Sequence, residues 1–381
     1  MDFELNEEQL MVRSSVREFA RNEIATRARE YDEAEKFPKE QIEGLAELGI
    51  LGMIIPEEYG GAGFDTVSYA VALEEIARAD ASVAVIVSVT NSVCCYPILS
   101  YGTEEQKQKF LVPLAKGEKL GAFCLTEPQA GSDATNLKTR ADEDGDFYVI
   151  NGTKSWVTNG GFSDVHIVMA VTGESAGKKE VTAFIVEKET EGLRVSSIEH
   201  KMGQRASQTT ELGFTDARIP KTNVLGKPGE GLRVAFSSLD NGRIGIASLS
   251  VGIAQAALDE AQKYSKDRIA FGRPIAEQQA IQFKLADMAT GTEAARLLTL
   301  RAAAMKDINH KQTGVASAQA KLFASETANR VCAEAIQIHG GNGYSRHYNV
   351  EKYYRDARIT TIYEGTSEMQ RIIISRGILK D

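Results

Sequence analysis

The run VHIVMAV, residues 165–171, is one of four short β-type runs that distinguish the middle of this chain from both ends. The other three, also between residues 120 and 228, are FYVI (147–150), VTAFIVE (181–187) and TTELGF (209–214). The stretches between the runs, NGTK, TGESAGKK and DARIPKTN, are rich in turn residues. This pattern predicts an antiparallel β-sandwich or barrel.

Helical periodicity surrounds the β-region on both sides. Before it, apolar residues recur at helical spacing in residues 6–34, 38–49, 66–79, 84–100 and 103–116. After it come three long helical segments without internal proline, at about 230–266, 275–310 and 314–338, and shorter helices near 350 and at 368–379. Long uninterrupted helices favour a helix bundle. We therefore predict an α+β protein with a helical domain (1–120), a β-domain (121–228) and a helical bundle domain (229–381).

Composition excludes several classes of protein. The chain has 381 residues, a net charge of −9 and a pI near 5.4, which argues against a nucleic-acid partner. The first residues are acidic and carry no export signal, and we expect no apolar run as long as the ~20 residues that a bilayer needs, so the expected location is cytoplasmic. The four cysteines have no zinc-ligand spacing, so we predict no metal site and four reduced core thiols: Cys94, Cys95, Cys124 and Cys332.

Two stretches of the β-region have residues suited to a flat polar ring. LTEPQAGSD (125–133) combines the hydroxyls of Thr126 and Ser132 with a small-residue turn at Gly131, although a plain connecting turn has similar residues. KSWVTNGG (154–161) holds the only tryptophan, Trp156, with Thr158 two residues on and so on the same face of a strand. Either this pair binds a ring cofactor, or Trp156 is a core residue.

Three stretches of the helical region offer contacts to charged groups. In SSLDNGRIG (237–245), Asp240 and Arg243 share one helix face, where Arg243 suits a phosphate or the pair forms a solvated ion pair. In DRIAFGRPI (267–275), Arg268 and Phe271 lie on an inter-helix turn, and Pro274 is expected to begin the next helix.

The third stretch, IQIHGGNGYS (336–345), places Gln337 before Gly340-Gly341, where missing side chains let a backbone or a pyrophosphate come close. The sequence has no GxGxxG after a predicted strand, which argues against a classical NAD domain.

The stretch TIYEGTSEM (361–369) contains the most informative carboxylate. Thr361 and Glu364 match a helix capping box, but Gly365 would interrupt the helix, and Ser367 with Gln370 makes a better box for the last helix. Glu364 is therefore predicted to lie on the loop before that helix. Beside apolar neighbours it would be partly desolvated, its pKa would rise, and it would suit proton abstraction.

Together these motifs resemble those of the acyl-CoA dehydrogenase family. LTEPQAGSD, KSWVTNGG, MGQRASQT (202–209), SLDNGRIG, DRIAFGRPI, QIHGGNGYS and RDARITTIYEGTSEMQR occur in the family's order and spacing over essentially the whole chain. The resemblance is greatest to bacterial short-chain or butyryl-type members. It implies a helical domain, a β-domain and a C-terminal four-helix bundle, assembled as a homotetramer.

The resemblance also implies that the cofactor is FAD. By resemblance the flavin is lined by the stretch from Phe123 through Leu125, Thr126 and Gly131 to Ser132, and is covered on one face by Trp156, Val157 and Thr158. The adenosine diphosphate end is held across a subunit interface by Arg268, Phe271, Gln279, Gln337, Gly340 and Gly341. Thr366 and Glu368 close over the cofactor.

For the substrate, the resemblance implies that Ser132, Asp240 and Arg243 contact the coenzyme A arm and that Gly365 lies against the thioester. Glu364 matches the family's catalytic base, which takes the α-proton while a β-hydride leaves for flavin N5 and gives a trans-2-enoyl-CoA. The backbone N–H of this glutamate and a ribityl hydroxyl polarise the thioester carbonyl. The expected electron acceptor is an electron-transferring flavoprotein.

Two residues differ from the family pattern or bear on the substrate. Phe123 stands where several relatives have tyrosine. Tyr96 lies in the helix that by analogy borders the end of the acyl pocket, so we expect a short acyl chain, or a branched or ring-shaped group of similar size. Two other functions remain open: an acyl-CoA oxidase that uses oxygen, and a non-catalytic flavin or acyl-CoA binding module.

Overall fold

The first third of the chain is helical in the computed structural model, which describes residues 4–379. Its helices are α1 (Glu7–Phe19), α2 (Ala28–Ala34), α3 (Lys39–Glu47), α4 (Thr66–Ala79), α5 (Ala81–Val89), α6 (Tyr96–Tyr101), α7 (Glu104–Gln106) and α8 (Val112–Ala115). π-helical turns continue some of them at Ala20–Ile24, Thr90–Cys95 and Lys107–Leu111. Thr103 caps α7, with Gln106 completing the capping box.

The helical run from α5 through α6 is the most apolar part of the fold. Ala81–Tyr101 is 21 residues long with a mean hydropathy of 1.7, so the expectation that no apolar run reaches bilayer length was wrong. Its polar residues are concealed because Thr90 and Ser92 donate hydrogen bonds to the carbonyls of Ile86 and Ser88, one helical turn back. The run is 89% buried in the protein, which is typical of a core helix.

An eight-stranded sheet follows, in which β6, β7, β3, β2, β4, β5 and β8 are neighbours in that order and β1 pairs with β4. The strands are β1 (Gly121–Cys124), β2 (Arg140–Asp144), β3 (Phe147–Thr158), β4 (Val165–Ser175), β5 (Lys178–Glu187), β6 (Leu193–Ile198), β7 (Thr209–Pro220) and β8 (Val224–Leu225). Most pairs are antiparallel as predicted, but β1 and β2 each run parallel to β4. The long connection from β1 to β4 permits this parallel pairing.

Two stretches predicted as turns are strand instead. NGTK (151–154) continues β3, and the first five residues of DARIPKTN continue β7 as its partner. The turn residues mark an irregularity in the ladder, because the register shifts between Ile150 and Gly152 while Asp216 opposite adopts a φ of 49°. A bulge of this kind bends a strand without ending it.

The VHIVMAV run is continuous because both faces of β4 are covered. Ile167 and Met169 pack with the helical residues Cys94 and Leu114 on one face. On the other face, Val168 packs with side chains of β3 and β7 in a separate core. A strand covered on both sides loses the apolar-polar alternation of a half-exposed strand. Through one face of β4 the sheet packs against the N-terminal helices.

Three long helices form most of the C-terminal region: α9 (Gly231–Asp267), α10 (Gln279–Asp307) and α11 (Thr313–His339). They pack against one another, and α12 (Val350–Arg358) and α13 (Ser367–Ile378) pack on α11. The connection from α9 to α10 differs from the prediction. Pro274 ends the hairpin of β9 (Ile269–Ala270) and β10 (Arg273–Pro274) and directly precedes a short 3-10 helix, Ile275–Glu277, whereas α10 itself starts only at Gln279.

Candidate active site

Glu364 lies on the turn between a 3-10 helix, Ile359–Thr361, and α13, as predicted. Its backbone is left-handed, with a φ of 51°, and that of Gly365 follows with a φ of 90°. Left-handed backbone is unusual for a residue other than glycine, and such strained residues cluster at functional sites. The turn therefore directs the side chain of Glu364 by a conformation that the surrounding contacts must hold in place.

The predicted cap of α13 is displaced by one residue. Thr366, not Ser367, is the N-cap, and its side chain accepts a hydrogen bond from the Met369 N–H at 3.3 Å. The Gln370 side chain does not complete a capping box, because its Nε2 donates to the carbonyls of Glu364 (3.3 Å) and Gly365 (2.9 Å). Gln370 thus holds the turn that carries Glu364.

The carboxylate of Glu364 is seated against α9. Its Oε2 is fully enclosed and has no hydrogen-bond partner in the described part of the chain. Beneath it lies Gly242, where an added Cβ would overlap Oε2 and lie 2.8 Å from the carboxylate carbon. Burial raises the pKa of Glu364 to about 7, although the positive charges of Lys321 and Arg243 oppose that rise. Such a carboxylate is a proton acceptor suited to neutral pH.

Asp240 and Arg243 form an ion pair on α9 and flank Gly242, the residue against which this carboxylate lies. The pair is only partly solvated, because the Asp240 side chain is 40% exposed whereas the Arg243 side chain is only 8% exposed. Its Nε has no hydrogen-bond partner among residues 4–379. A buried guanidinium with a free donor is suited to an incoming polar or anionic group.

Lys321 on α11 is a member of this cluster that the sequence reasoning missed. It is fully buried, and its Nζ donates a hydrogen bond of 2.7 Å to the carbonyl of Gly365. The sequence holds one signal for it, since Lys321 lies between Ala320 and Ala324 on the small-residue face of a helix. A charged residue in such a position is expected to have a specific partner.

The LTEPQAGSD loop begins at the end of β1 and is fixed by a buried ion pair. The Nζ of Lys154 donates to Glu127 Oε1 at 2.6 Å and to the carbonyl of Leu125 at 3.2 Å. The adjacent carbonyl of Thr126 accepts a hydrogen bond from the N–H of Ser155. These bonds place Leu125 and Thr126 beside the β3 segment that carries Trp156, so the two predicted cofactor stretches do meet.

The side chains of these two stretches differ in exposure. Trp156 is 58% exposed, so it is not the core tryptophan of the alternative interpretation. Its φ of 59° and a register shift in β3 interrupt the two-residue alternation on which a face shared with Thr158 was predicted. The other predicted flavin residues range from buried to exposed: Val157 and Leu125 are buried, Phe123, Thr126 and Thr158 are half-buried, and Gly131 and Ser132 are exposed.

A second cluster of predicted residues lines a cavity of about 370 Å³ at the far end of the bundle. Arg268, Gly340 and Gly341 are among its lining residues, and a Cβ at either glycine would meet open space. Sequence reasoning missed the aromatic part of the lining, where the rings of Tyr264 and His339 stack with centroids 4.1 Å apart. Further predicted residues are exposed near the ends of the same helices: Phe271, Gln279 and Gln337.

The two clusters are far apart in one chain. Arg243 and Asp267 mark their positions on α9, and the 1.5 Å rise of a helix puts these residues about 36 Å apart.

Of the remaining predicted residues, Thr366 caps α13 and Glu368 is exposed in its first turn. Among residues 4–379, no group of three or more His, Cys, Asp or Glu side chains could hold a metal ion, and all four cysteines are free and buried as predicted.

Three family models match the chain in sequence: the N-terminal domain of acyl-CoA dehydrogenase over residues 6–118, the middle domain over 122–217 and the C-terminal domain over 229–379. The chain therefore belongs to the acyl-CoA dehydrogenase family, whose members are FAD-dependent oxidoreductases acting on a CH–CH bond of an acyl-CoA. Its predicted three-domain fold is confirmed.

Individual relatives resemble the chain over nearly its whole length. The mitochondrial short-chain specific acyl-CoA dehydrogenase of Mus musculus is 50% identical over 377 residues, which cover 99% of this chain and 91% of that protein. The structure of butyryl-CoA dehydrogenase from Megasphaera elsdenii matches this chain with a TM-score of 0.98 and 46% sequence identity, and the match covers 100% of both chains. A chain in the structure of the electron transferring flavoprotein of Acidaminococcus fermentans has a TM-score of 0.98 and 47% identity, again over 100% of both chains.

Proposed function

We propose that this protein catalyses the FAD-dependent α,β-dehydrogenation of a short-chain acyl-CoA to the trans-2-enoyl-CoA, with Glu364 as the base. The observation that carries this proposal is the carboxylate of Glu364, which has an enclosed oxygen without a partner and a pKa raised by burial to about 7. Since an ordinary glutamate is a much weaker base, this rise makes Glu364 effective at taking a weakly acidic α-proton.

The surroundings of Glu364 support this role. Positive charges on Arg243 and Lys321 favour the ionised carboxylate, which offsets part of the cost of burial. The backbone N–H of Glu364 is proposed to donate to the thioester carbonyl as negative charge develops there, which is worth about 3 kcal/mol per donor in sites of this kind. Gly365, next along the turn, is proposed to lie against the thioester.

The residues that are proposed to hold FAD fit such a group. Trp156 offers an exposed aromatic plane, and space is open above Gly131, Gly340 and Gly341. The flavin ring is assigned to Phe123, Leu125, Thr126, Gly131, Ser132, Trp156, Val157 and Thr158, with Thr366 and Glu368 closing over it. Bound there, FAD would supply the acceptor for the β-hydride and a carrier for its electrons.

The adenosine diphosphate end of FAD is assigned to the cavity at Gly340-Gly341, with Arg268, Phe271, Gln279 and Gln337. This cavity is about 36 Å along α9 from the Glu364 cluster, which is longer than one extended FAD molecule. We infer that a second copy of the chain supplies the cavity, and the assembly we propose is a homotetramer.

For the substrate, the coenzyme A arm is assigned to Ser132, Asp240 and Arg243. Tyr96 is proposed to limit the acyl pocket, and it is held firmly because the Lys306 ammonium donates to its hydroxyl at 3.2 Å and lies over its ring. The names of the relatives from Mus musculus and Megasphaera elsdenii, short-chain specific and butyryl-CoA dehydrogenase, support a short acyl group. A branched or ring-shaped acyl group of similar size is the second candidate.

We also propose that an electron-transferring flavoprotein is the electron acceptor and that the protein is cytoplasmic. Its three domains are proposed to span residues 1–120, 121–228 and 229–381. The likeness to a chain in the Acidaminococcus fermentans structure supports the acceptor. The first strand at Gly121 and the start of α9 at Gly231 support the domain boundaries. An oxidase of the same fold would use oxygen instead, and hydrogen peroxide released during turnover distinguishes it.

The test is anaerobic mixing of the FAD-loaded protein with a panel of acyl-CoA thioesters, followed by flavin bleaching. We expect bleaching with short acyl groups and a loss of about 10²–10⁴-fold in its rate in Glu364→Gln, with FAD and ligand binding retained. Glu326→Gln, an exposed glutamate on α11, is the matched control and should bleach normally. Near-normal bleaching by Glu364→Gln would place the base elsewhere, and no bleaching by any thioester would favour a non-catalytic binding module.

A further inference from the structure

Lys321 is buried without an anion in direct contact. Its side chain has no exposed surface, and its Nζ donates to a neutral acceptor, the carbonyl of Gly365, at 2.7 Å. In the part of the chain that the structure describes, no ion pair joins Lys321 to a carboxylate. Because an ammonium loses its hydration on burial, one neutral hydrogen bond does not offset the cost.

The opposite charge that acts most strongly on Lys321 is the carboxylate of Glu364, one residue before that carbonyl. Glu364 raises the pKa of Lys321, while burial lowers it to about 8 as the net result. In return Lys321 lowers the pKa of Glu364, more than Arg243 does. Each charge thus reduces the cost of the other without forming a contact pair that would occupy the carboxylate oxygens.

The same lysine bears on the shape of the turn. The carbonyl of Gly365 accepts hydrogen bonds from Lys321 on α11 and from Gln370 on α13, so two helices hold it. Left-handed backbone at Glu364, a residue other than glycine, persists only where surrounding contacts enforce it. With the turn held in this way, the carboxylate of Glu364 rests on Gly242.

We propose that Lys321 is a positioning residue for the base: its hydrogen bond to Gly365 fixes the Glu364 turn, and its positive charge favours the ionised form of the Glu364 carboxylate. This inference rests on the proposed role of Glu364 in proton abstraction. Lys321 itself touches neither the substrate nor the reacting atoms in this assignment.

Other groups face the carboxylate, and the test has to separate them from Lys321. Around Glu364, α9 contributes Arg243 with its partner Asp240, α4 contributes Tyr69, and the turn itself contributes Tyr363. A further carboxylate, Glu368 of α13, acts on Lys321. Burial raises the pKa of both tyrosines far above neutrality, so they stay uncharged. Arg243 also favours the ionised carboxylate, but less than Lys321 does, and it is paired with Asp240.

The experiment compares pH profiles of kcat/KM for the FAD-loaded protein and Lys321→Met, which has a side chain of similar length without charge. We expect the acid limb to move up by roughly one pH unit, since an opposite charge at close range shifts a carboxyl pKa by at least that much. At pH 7 the rate would then fall about fivefold, with recovery at higher pH. Lys321→Arg retains the charge and should keep the limb in place even if its rate is lower.

Arg330→Met is the matched control, because it removes an exposed cation from the same helix and should leave the limb unmoved. A loss in Lys321→Met that is equal at every pH, with the limb in place, would overturn the proposal and leave a purely structural lysine. If Lys321→Met yields no folded protein, Lys321→Gln takes its place. If neither neutral variant folds but Lys321→Arg does, the proposal is also overturned, since the charge of Lys321 would then be needed for folding.

The Glu364→Gln result separates this proposal from the proposed function. A Glu364→Gln variant that bleaches normally refutes the role of Glu364 as the base, and the Lys321 proposal with it. A Glu364→Gln variant without activity, together with an unmoved limb in Lys321→Met, refutes only the role of Lys321.

Discussion

The carboxylate of Glu364 lies so close to Gly242 that no β-carbon fits between them. One residue belongs to the turn before α13 and the other to α9, so the base is located by contact between two elements that are distant in sequence. The lack of a side chain at residue 242 is therefore a condition for the position of the base, and it can be tested directly.

Gly242→Ala should displace the carboxylate of Glu364 and lower the rate of flavin reduction about 100-fold, which is the usual effect of moving a catalytic group by ~1 Å. Stability should change little, because alanine favours a helix over glycine by about 1 kcal/mol and this gain opposes the steric cost. The rate is measured by anaerobic stopped flow and stability by thermal unfolding. Gly314→Ala in α11 is the control, since its Cβ would lie at an ordinary 3.5 Å from the nearest atom.

The pH dependence of kcat/KM should show an acid limb near pH 7. Burial raises the pKa of Glu364 to about 7, and only the ionised carboxylate can take a proton. The rate should therefore fall about tenfold for each pH unit below the limb and level off above it. A limb near the ordinary glutamate value of 4.5 would show that the carboxylate is solvated in the working enzyme.

Glu364→Gln should be more resistant to heat than the unaltered protein, by a margin that grows with pH. The folded protein holds the proton of Glu364 more tightly than the unfolded chain, since the pKa rises from 4.5 to about 7. Stability therefore decreases as pH rises between those values, by about 3 kcal/mol at most, and the variant escapes this loss. Thermal midpoints of both FAD-loaded proteins should agree near pH 4.5 and differ most above pH 7. A constant difference would contradict the assignment.

Lys154→Met should destabilise the LTEPQAGSD loop. It would leave the Glu127 carboxylate buried without its cation, and loss of one partner of a buried pair costs about 3–5 kcal/mol. Glu127 also accepts from the N–H groups of Lys138 and Thr139, so the loop as a whole should loosen and FAD should be lost more readily. FAD content and thermal midpoint measure the two effects. Lys138→Met, at an exposed neighbour, should change neither.

Trp156→Ala should separate cofactor binding from stability. Because Trp156 is 58% exposed, its removal should change the thermal midpoint of the FAD-free protein little. Loss of an aromatic surface for the flavin should weaken FAD binding by about 1–3 kcal/mol, the range for stacking of an aromatic side chain on a flat heterocycle. Titration of the FAD-free protein gives the affinity. Val195→Ala, an exposed apolar residue of the same sheet, is the control.

Local rules predicted the order of helices and strands well, because each long element has its own periodicity. The helix at about 230–266 was found as α9, Gly231–Asp267, and VHIVMAV was found as β4. The placement of Glu364 off the last helix also came from local rules, since Gly365 interrupts the helix. These features depend on neighbours within about one turn of the chain.

The remaining features depend on contacts between distant segments, which have no signature in local sequence. The seat of Glu364 on Gly242 joins α13 to α9, and the bond from Lys321 to Gly365 joins α11 to the same turn. NGTK was mistaken for a turn because its residues suit a turn as well as a bulge. The assignments of individual residues to FAD and coenzyme A remain proposals, supported by exposure, open space and the cavity.

The apolar helix Ala81–Tyr101 has a consequence for the newly made chain. Its buried face packs partly against Ile246, Leu249 and Ile253 of α9, which lie more than a hundred residues later. Until the ribosome has delivered α9, nothing covers that part of the segment, and its length and hydropathy are those of a membrane anchor. Fragments that end before α9 should therefore be bound by chaperones, aggregate or insert into membranes, whereas the full-length chain conceals the segment as it folds.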